Sequence, residues 1–245
     1  MLLSGLGFRV GGLDILQDVD LEVAQGECLG VIGPNGAGKT TLFNLLSGLL
    51  KPTAGQVEIE GRNLAGLGPA PRARLGLGRT FQSSTLFAAL SPLDHARLAA
   101  LARAGAHPHW WARLRPGDPA QGLAVEAVRS VGLENLADRP VAALSHGDRR
   151  KVELAILLAG GARTLLLDEP MAGVNREDVP ELVQLIARLR QGGRTVLMVE
   201  HHMAVIMGLV DRVAVLHHGR LLTCGTPAEV ASDTTVQAVY LGDPL

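Results

Sequence analysis

Gly33-Pro34-Asn35-Gly36-Ala37-Gly38-Lys39-Thr40 fits the spacing Gly-x-x-x-x-Gly-Lys-Ser/Thr, and its flanks decide how it is read. Before it, Glu27 to Ile32 (ECLGVI) is a short apolar run suited to a buried strand. After it, Thr41 to Leu50 carries apolar residues at helical spacing and stops at Lys51-Pro52. A glycine turn between strand and helix lets successive backbone N–H groups and the helix N-terminus face negative charge. The pattern predicts a nucleoside triphosphate site for ATP with Mg²⁺. Asn35, Gly36, Ala37 and Gly38 wrap the phosphates, and Lys39 reaches the β- and γ-phosphates. The Thr40 hydroxyl ligates Mg²⁺, and Thr41 adds a hydroxyl near the α-phosphate. A chance glycine turn is the bland alternative, and the flanking strand and helix count against it.

Upstream, Gly12 breaks an extended start and Ile15 to Val23 alternates apolar with polar residues. Downstream, Gln56 to Glu60 (QVEIE) alternates again and stops at Gly61. From Ser83 to Ala143 the chain turns rich in alanine and arginine with helical periodicity, interrupted between Gly105 and Gly122. Strands and helices then alternate: Thr164 to Leu167, a helix from Arg176 to Arg190, Thr195 to Val199, a short helix, and Arg212 to Leu216. That order implies an α/β fold with a mostly parallel sheet and helices on both faces.

The acidic partner of the phosphate loop is Thr164-Leu165-Leu166-Leu167-Asp168-Glu169, an apolar strand ending in two carboxylates. Asp168 is placed to hold Mg²⁺ through water, and Glu169 to polarise the attacking water as general base. Such a strand alone is a weak signal; with the phosphate loop upstream it is strong.

Composition bounds the rest. The 245 residues are 47% hydrophobic and 19% charged, with a formal net charge of −1. That charge gives no electrostatic footprint for nucleic acid, and no nucleic-acid partner is expected. Mean hydropathy is positive (+0.22), yet the apolar stretches at Leu42 to Leu50 and Leu154 to Leu167 are broken. Both fall short of the ~20 residues that cross a bilayer. Two cysteines, Cys28 and Cys224, fit a reducing compartment. Lysine occurs only at 39, 51 and 151 among 23 Lys and Arg residues, and one of the three stands in the phosphate loop.

Leu144-Ser145-His146-Gly147-Asp148-Arg149-Arg150 precedes a helix and lies shortly before the acidic strand. Read alone it is an N-capped helix with Ser145 as cap. In this order and spacing it resembles the signature motif of ATP-binding-cassette (ABC) ATPases, LSGGQ, with His146 and Asp148 departing at the third and fifth positions. The resemblance implies a P-loop NTPase core of the ABC type with an N-terminal antiparallel β region and an inserted helical subdomain. One domain over 1–245 is expected, with residues 1–82 and 160–245 as core and 83–159 as the helical subdomain. It further implies that Ser145 and Gly147 meet phosphate, and that Gln82 senses Mg²⁺ and the attacking water. His201 matches the switch histidine that contacts the γ-phosphate, and Asn175 stands where the D-loop aspartate is commoner. Val10 occupies the position of the adenine-stacking aromatic, with Phe8 two residues earlier as the other candidate.

Arg79-Thr80-Phe81-Gln82, DEPMAGVN from Asp168, EHHM from Glu200 and GTPAEV…VYLG from Gly225 narrow the likeness to LivG-type ATPases of branched-chain amino-acid importers. That group implies a peripheral subunit on the cytoplasmic face of the cell membrane. It pairs with a second ABC ATPase, identical or paralogous, and with transmembrane permease subunits. Indirectly it serves a periplasmic or extracellular solute-binding protein. A urea, amide or lipid transporter's ATPase, or a non-transport ABC ATPase, is the alternative. Phe87 to Trp111 is the expected permease surface, where Trp110-Trp111 are either interface anchors or packing for the insertion. The doublets His201-His202 and His217-His218 invite a metal reading, but neighbouring histidines at a strand end rarely share a metal; His217-His218 reads as a solvated turn.

Overall fold

The computed structural model describes residues 1–81, 86–105 and 119–241. Gln82, Trp110, Trp111 and most of the Pro116 to Pro119 loop lie outside the described residues.

Strands β1 (Leu2–Val10) and β2 (Leu13–Glu22) form a hairpin about Gly11-Gly12, and β4 (Ala54–Ile59) with β5 (Arg62–Asn63) completes an antiparallel sheet ordered β2-β1-β4-β5. The second sheet contains β3 (Cys28–Ile32), β6 (Leu77–Arg79), β7 (Thr164–Asp168), β8 (Thr195–Val199), β9 (Arg212–His217) and β10 (Arg220–Gly225). Its order is β10-β9-β3-β8-β7-β6, parallel throughout except for the β9–β10 hairpin. The helices are α1 (Lys39–Ser47), α2 (Pro69–Arg74), α3 (Pro92–Arg103), α4 (Pro119–Ser130), α5 (His146–Ala159), α6 (Val179–Gln191), α7 (Met203–Leu209), α8 (Pro227–Ser232) and α9 (Thr234–Leu241).

Period-two alternation sends successive strand residues to opposite faces. Leu29, Val31, Leu166, Leu197 and Val199 therefore join α1 and the antiparallel sheet in one core, around the fully buried Phe43. Cys28, Leu165, Leu167, Val196 and Met198 face the other core, which α3 to α7 close. The central strands are buried on both faces, as a parallel sheet requires. Burial also pushes the Cys28 thiol up to about 12, so it behaves as a small apolar residue.

One local reading shifts. Helix α1 ends at Ser47 rather than at Leu50, because Gly48 takes the left-handed conformation (φ 79°) and its N–H returns to Leu45 O. Strand β8 spans Thr195–Val199, as its apolar run predicts. The His217-His218 segment is a hairpin corner with work to do: Gly219 N–H donates to Ala37 O at 3.1 Å, bracing the phosphate loop from behind.

Candidate functional site

The strand order brings the separated motifs together. β3, β8, β7 and β6 are neighbours and parallel, so the segments leaving their carboxyl ends emerge on one edge of the sheet. In that order these are the loop 33–40, Glu200-His201, Asp168-Glu169, and Thr80-Phe81 leading to Gln82. Ligand sites of open α/β sheets form on this carboxyl edge.

Gly33 must be glycine: a Cβ there would lie 2.1 Å from Leu216 O. Gly38 caps α1 at φ 102°, and a Cβ would meet Leu16 at 2.7 Å. Helix α1 has no side-chain cap and no acidic residue in its first turn, whereas α3, α5 and α8 are each capped by a hydroxyl. Its first N–H groups thus remain for an anion. Asn35, Gly36 and Thr40 are exposed, Thr41 is half-buried, and Ala37 packs inward. Lys39 is buried, and its Nζ donates to Gly33 O (2.6 Å) and Pro34 O (2.9 Å). Burial pulls its ammonium below the ordinary lysine range, opposed by the charge of Glu169.

Asp168 Oδ2 accepts from Arg79 Nη2 at 2.9 Å, with both side chains under one-tenth exposed. Arg79 also donates to Asn44 Oδ1 and Ser47 Oγ of α1, and its guanidinium lies over the rings of Phe43 and Phe81. Among the described residues, Arg79 Nε is the sole buried side-chain polar atom without a partner. The second Asp168 oxygen makes no hydrogen bond among the described residues. One hydroxyl and one carboxylate oxygen without a protein partner, with phosphates and water completing the shell, is a hard-oxygen set that fits Mg²⁺. The wider histidine-metal reading gains nothing: among the described residues no three His, Cys, Asp or Glu side chains converge.

Glu169 holds a left-handed backbone (φ 47°) that a non-glycine residue seldom adopts, fixed by its N–H donating to Val199 O at 2.9 Å. Its Oε1 lies 3.0 Å from His201 Nε2. The neighbouring His202 points elsewhere, with Nδ1 3.0 Å from Glu200 Oε2.

Ser145 caps α5 by accepting from Asp148 N–H at 3.1 Å, and its hydroxyl donates to Asp148 Oδ2 at 2.8 Å. The fifth-position aspartate therefore binds the Ser145 proton. Gly147 is buried against Asp178, where a Cβ would still find 3.4 Å. Arg150 joins this helix to the other loops through Phe81 O and Ala172 O, both at 3.2 Å. Arg79, Arg150 and Glu200 went unread as functional in the sequence. The only available signal was a charged residue at the end of a buried strand or inside a recognised motif.

Phe8 is half-buried and packs on the core between the sheets. Val10 and its cross-strand partner Leu13 are 56% and 66% exposed at the hairpin tip. Aliphatic side chains offer a base contact area without hydrogen bonds. ATP is thus expected to be preferred over GTP by less than about a hundredfold (~2.7 kcal/mol) in competition binding, and a larger ratio would contradict this.

Beside the site, an apolar groove of about 250 Å³ runs between β6 and helices α3 and α5. Phe81, Leu86, Phe87, Leu98 and Ile156 line it, and Phe87 is 64% exposed. Among the described residues, no helix is long and apolar enough to cross a membrane.

Residues 16–172 match the family described as ABC transporter, and 220–244 match one described as branched-chain amino acid ATP-binding cassette transporter. The high-affinity branched-chain amino acid transport ATP-binding protein LivG of Salmonella typhimurium is 37% identical, over 99% of this chain and 98% of its own length. The lipopolysaccharide export system ATP-binding protein LptB of Acidithiobacillus ferridurans is 38% identical over 94% and 91%. Among solved structures, a nucleotide-free ATP-binding cassette from an ABC transporter superposes with a TM-score of 0.86 at 26% identity, covering 98% of both chains. The ADP conformation of the cassette MJ1267 gives 0.86 at 25% identity and the same coverage. With the first match spanning most of the chain and such relatives covering nearly all of it, the chain belongs to the ABC transporter family, as an ATP-binding and ATP-hydrolysing cassette.

Proposed function

We propose that this cassette energises a branched-chain amino-acid importer, as one of two ATPase subunits docked on the cytoplasmic side of membrane permeases. The observation that carries the chemistry is the 3.0 Å contact between Glu169 and His201 at the ends of neighbouring strands. Glu169 takes the proton of the attacking water. His201 holds Glu169 and contacts the γ-phosphate. Lys39 leaves the carbonyls of Gly33 and Pro34 for the β- and γ-phosphates. Thr40 and Asp168, the latter through water, would hold Mg²⁺ with Gln82 as its sensor, and the ion would supply charge neutralisation at the phosphates. Residues 1–82 with 160–245 act as the nucleotide core, and 83–159 as the helical subdomain.

Ser145 and Gly147 open a helix whose N-terminus serves the ATP held by the other ATPase subunit, identical or paralogous. ATP then adds contacts present only in the closed pair, which gives it leverage over the permeases. The groove at Phe87 receives a short apolar segment of a permease, since an exposed aromatic over an apolar floor is a common anchor. The cargo assignment leans on the 220–244 match and the LivG relative. The similarly close LptB relative favours lipid export as the second reading.

In proteoliposomes holding the assembled transporter and its solute-binding protein, ATP-driven uptake of leucine, isoleucine or valine is expected. Export of lipid instead would overturn the cargo. Phe87→Ala with Leu98→Ala should weaken permease assembly about thirtyfold (~2 kcal/mol) while ATP affinity stays within about twofold. Unchanged assembly would remove the groove from the interface.

A further inference from the structure

Of the buried carboxylates that the hydrolytic scheme leaves unused, Glu200 is more deeply buried than Glu27 and Glu153. It is 2% exposed, and no arginine or lysine among the described residues pairs with it. A buried charge persists only when its oxygens are satisfied. Here Oε1 accepts from Met171 N–H at 2.8 Å. Oε2 accepts from His201 N–H (2.9 Å), His202 N–H (3.2 Å) and His202 Nδ1 (3.0 Å). An ionised carboxylate only accepts, so His202 Nδ1 carries a proton.

These donors come from two loops. Met171 lies two residues after Glu169, in the segment leading to Asn175, and His201 faces Glu169 through its side chain. Glu169 and His201 are therefore tied directly, side chain to side chain, and through Glu200, whose carboxylate bridges the N–H groups of Met171 and His201. This bridge adds to the Glu169 N–H bond to Val199 O in holding the turn after Glu169 against the strand end that carries His201.

We propose that Glu200 is a positioning residue for hydrolysis, fixing His201 against Glu169 by tying the turn after Glu169 to the turn that carries His201. This rests on the roles given above to Glu169 and His201. An amide at 200 has one acceptor oxygen, so it can serve Met171 or the histidine N–H groups but not both. A misplacement of even 1 Å in a reacting constellation costs on the order of a hundredfold.

The test is a double-mutant cycle in the full chain, with ATP binding measured beside turnover. Glu200→Gln should lower kcat about 10–100-fold while KM and the ATP-binding stoichiometry stay within about threefold. In a His201→Ala background the same substitution should have almost no further effect, because residues acting as a unit are non-additive. An equal loss in both backgrounds would assign Glu200 a general structural role and overturn the proposal. So would normal turnover in Glu200→Gln while His201→Ala is impaired. Normal turnover in His201→Ala alone would instead overturn the role of His201, and this proposal with it.

Discussion

Glu169→Gln is expected to retain ATP binding and lose turnover by about a thousandfold, since general base catalysis contributes on the order of 10²–10⁴. A factor of a thousand is ~4.1 kcal/mol of barrier. The amide keeps the size of the side chain, and the left-handed turn at φ 47° is set by backbone contacts that the substitution does not touch. Its oxygen can still accept from His201, as the carboxylate does at 3.0 Å. What disappears is the negative charge, and with it the capacity to take a proton from water. Steady-state hydrolysis alongside equilibrium ATP binding separates the two effects. Turnover within about tenfold of the parent would remove Glu169 as base.

Lys39→Ala should do the opposite and act on affinity. The ammonium lies in a pocket of its own loop, between Gly33 O and Pro34 O, and burial already weakens its hold on its proton. A triphosphate offers it stronger, charged acceptors at the cost of two carbonyls. Hydrogen bonds to charged groups contribute about 1.5–3 kcal/mol each. Losing one or two should weaken ATP binding on the order of a hundredfold, and ADP less, because the γ-phosphate contact is missing there. Calorimetric titration with both nucleotides reads this directly. Equal, small losses for ATP and ADP would contradict the placement of Lys39 on the γ-phosphate.

Local patterns carried most of the fold. The run ECLGVI and the run ending in Asp168-Glu169 are apolar because their strands are covered on both faces, and each stops at a polar edge where ligands bind. Ser145 was legible as a cap because capping chemistry is local. The contacts that tune the site were not. Arg79 reaches Asp168 from 89 residues away, and Met171 reaches Glu200 across 29. Neither pair leaves a trace in spacing or periodicity; only the strand order β8-β7-β6 brings them together. The end of α1 escaped for a different reason. Lys51-Pro52 is the louder stop signal, but Gly48 acts first by turning left-handed. Phe8 illustrates a third limit: its strand position was readable, while its engagement in the core depends on what packs against it.

In the proposed pair each chain supplies halves of two sites: Lys39 and Glu169 at its carboxyl edge, and Ser145, exposed and capping α5. The mass of the Glu169→Gln chain under ATP, alone and coexpressed with its companion ATPase, decides whether those halves are completed by another subunit. Light scattering should give the mass of two ATPase chains, with two ATP retained per pair and dissociation once ATP is removed. A single chain that keeps one ATP, whatever the concentration or companion, would contradict a shared site.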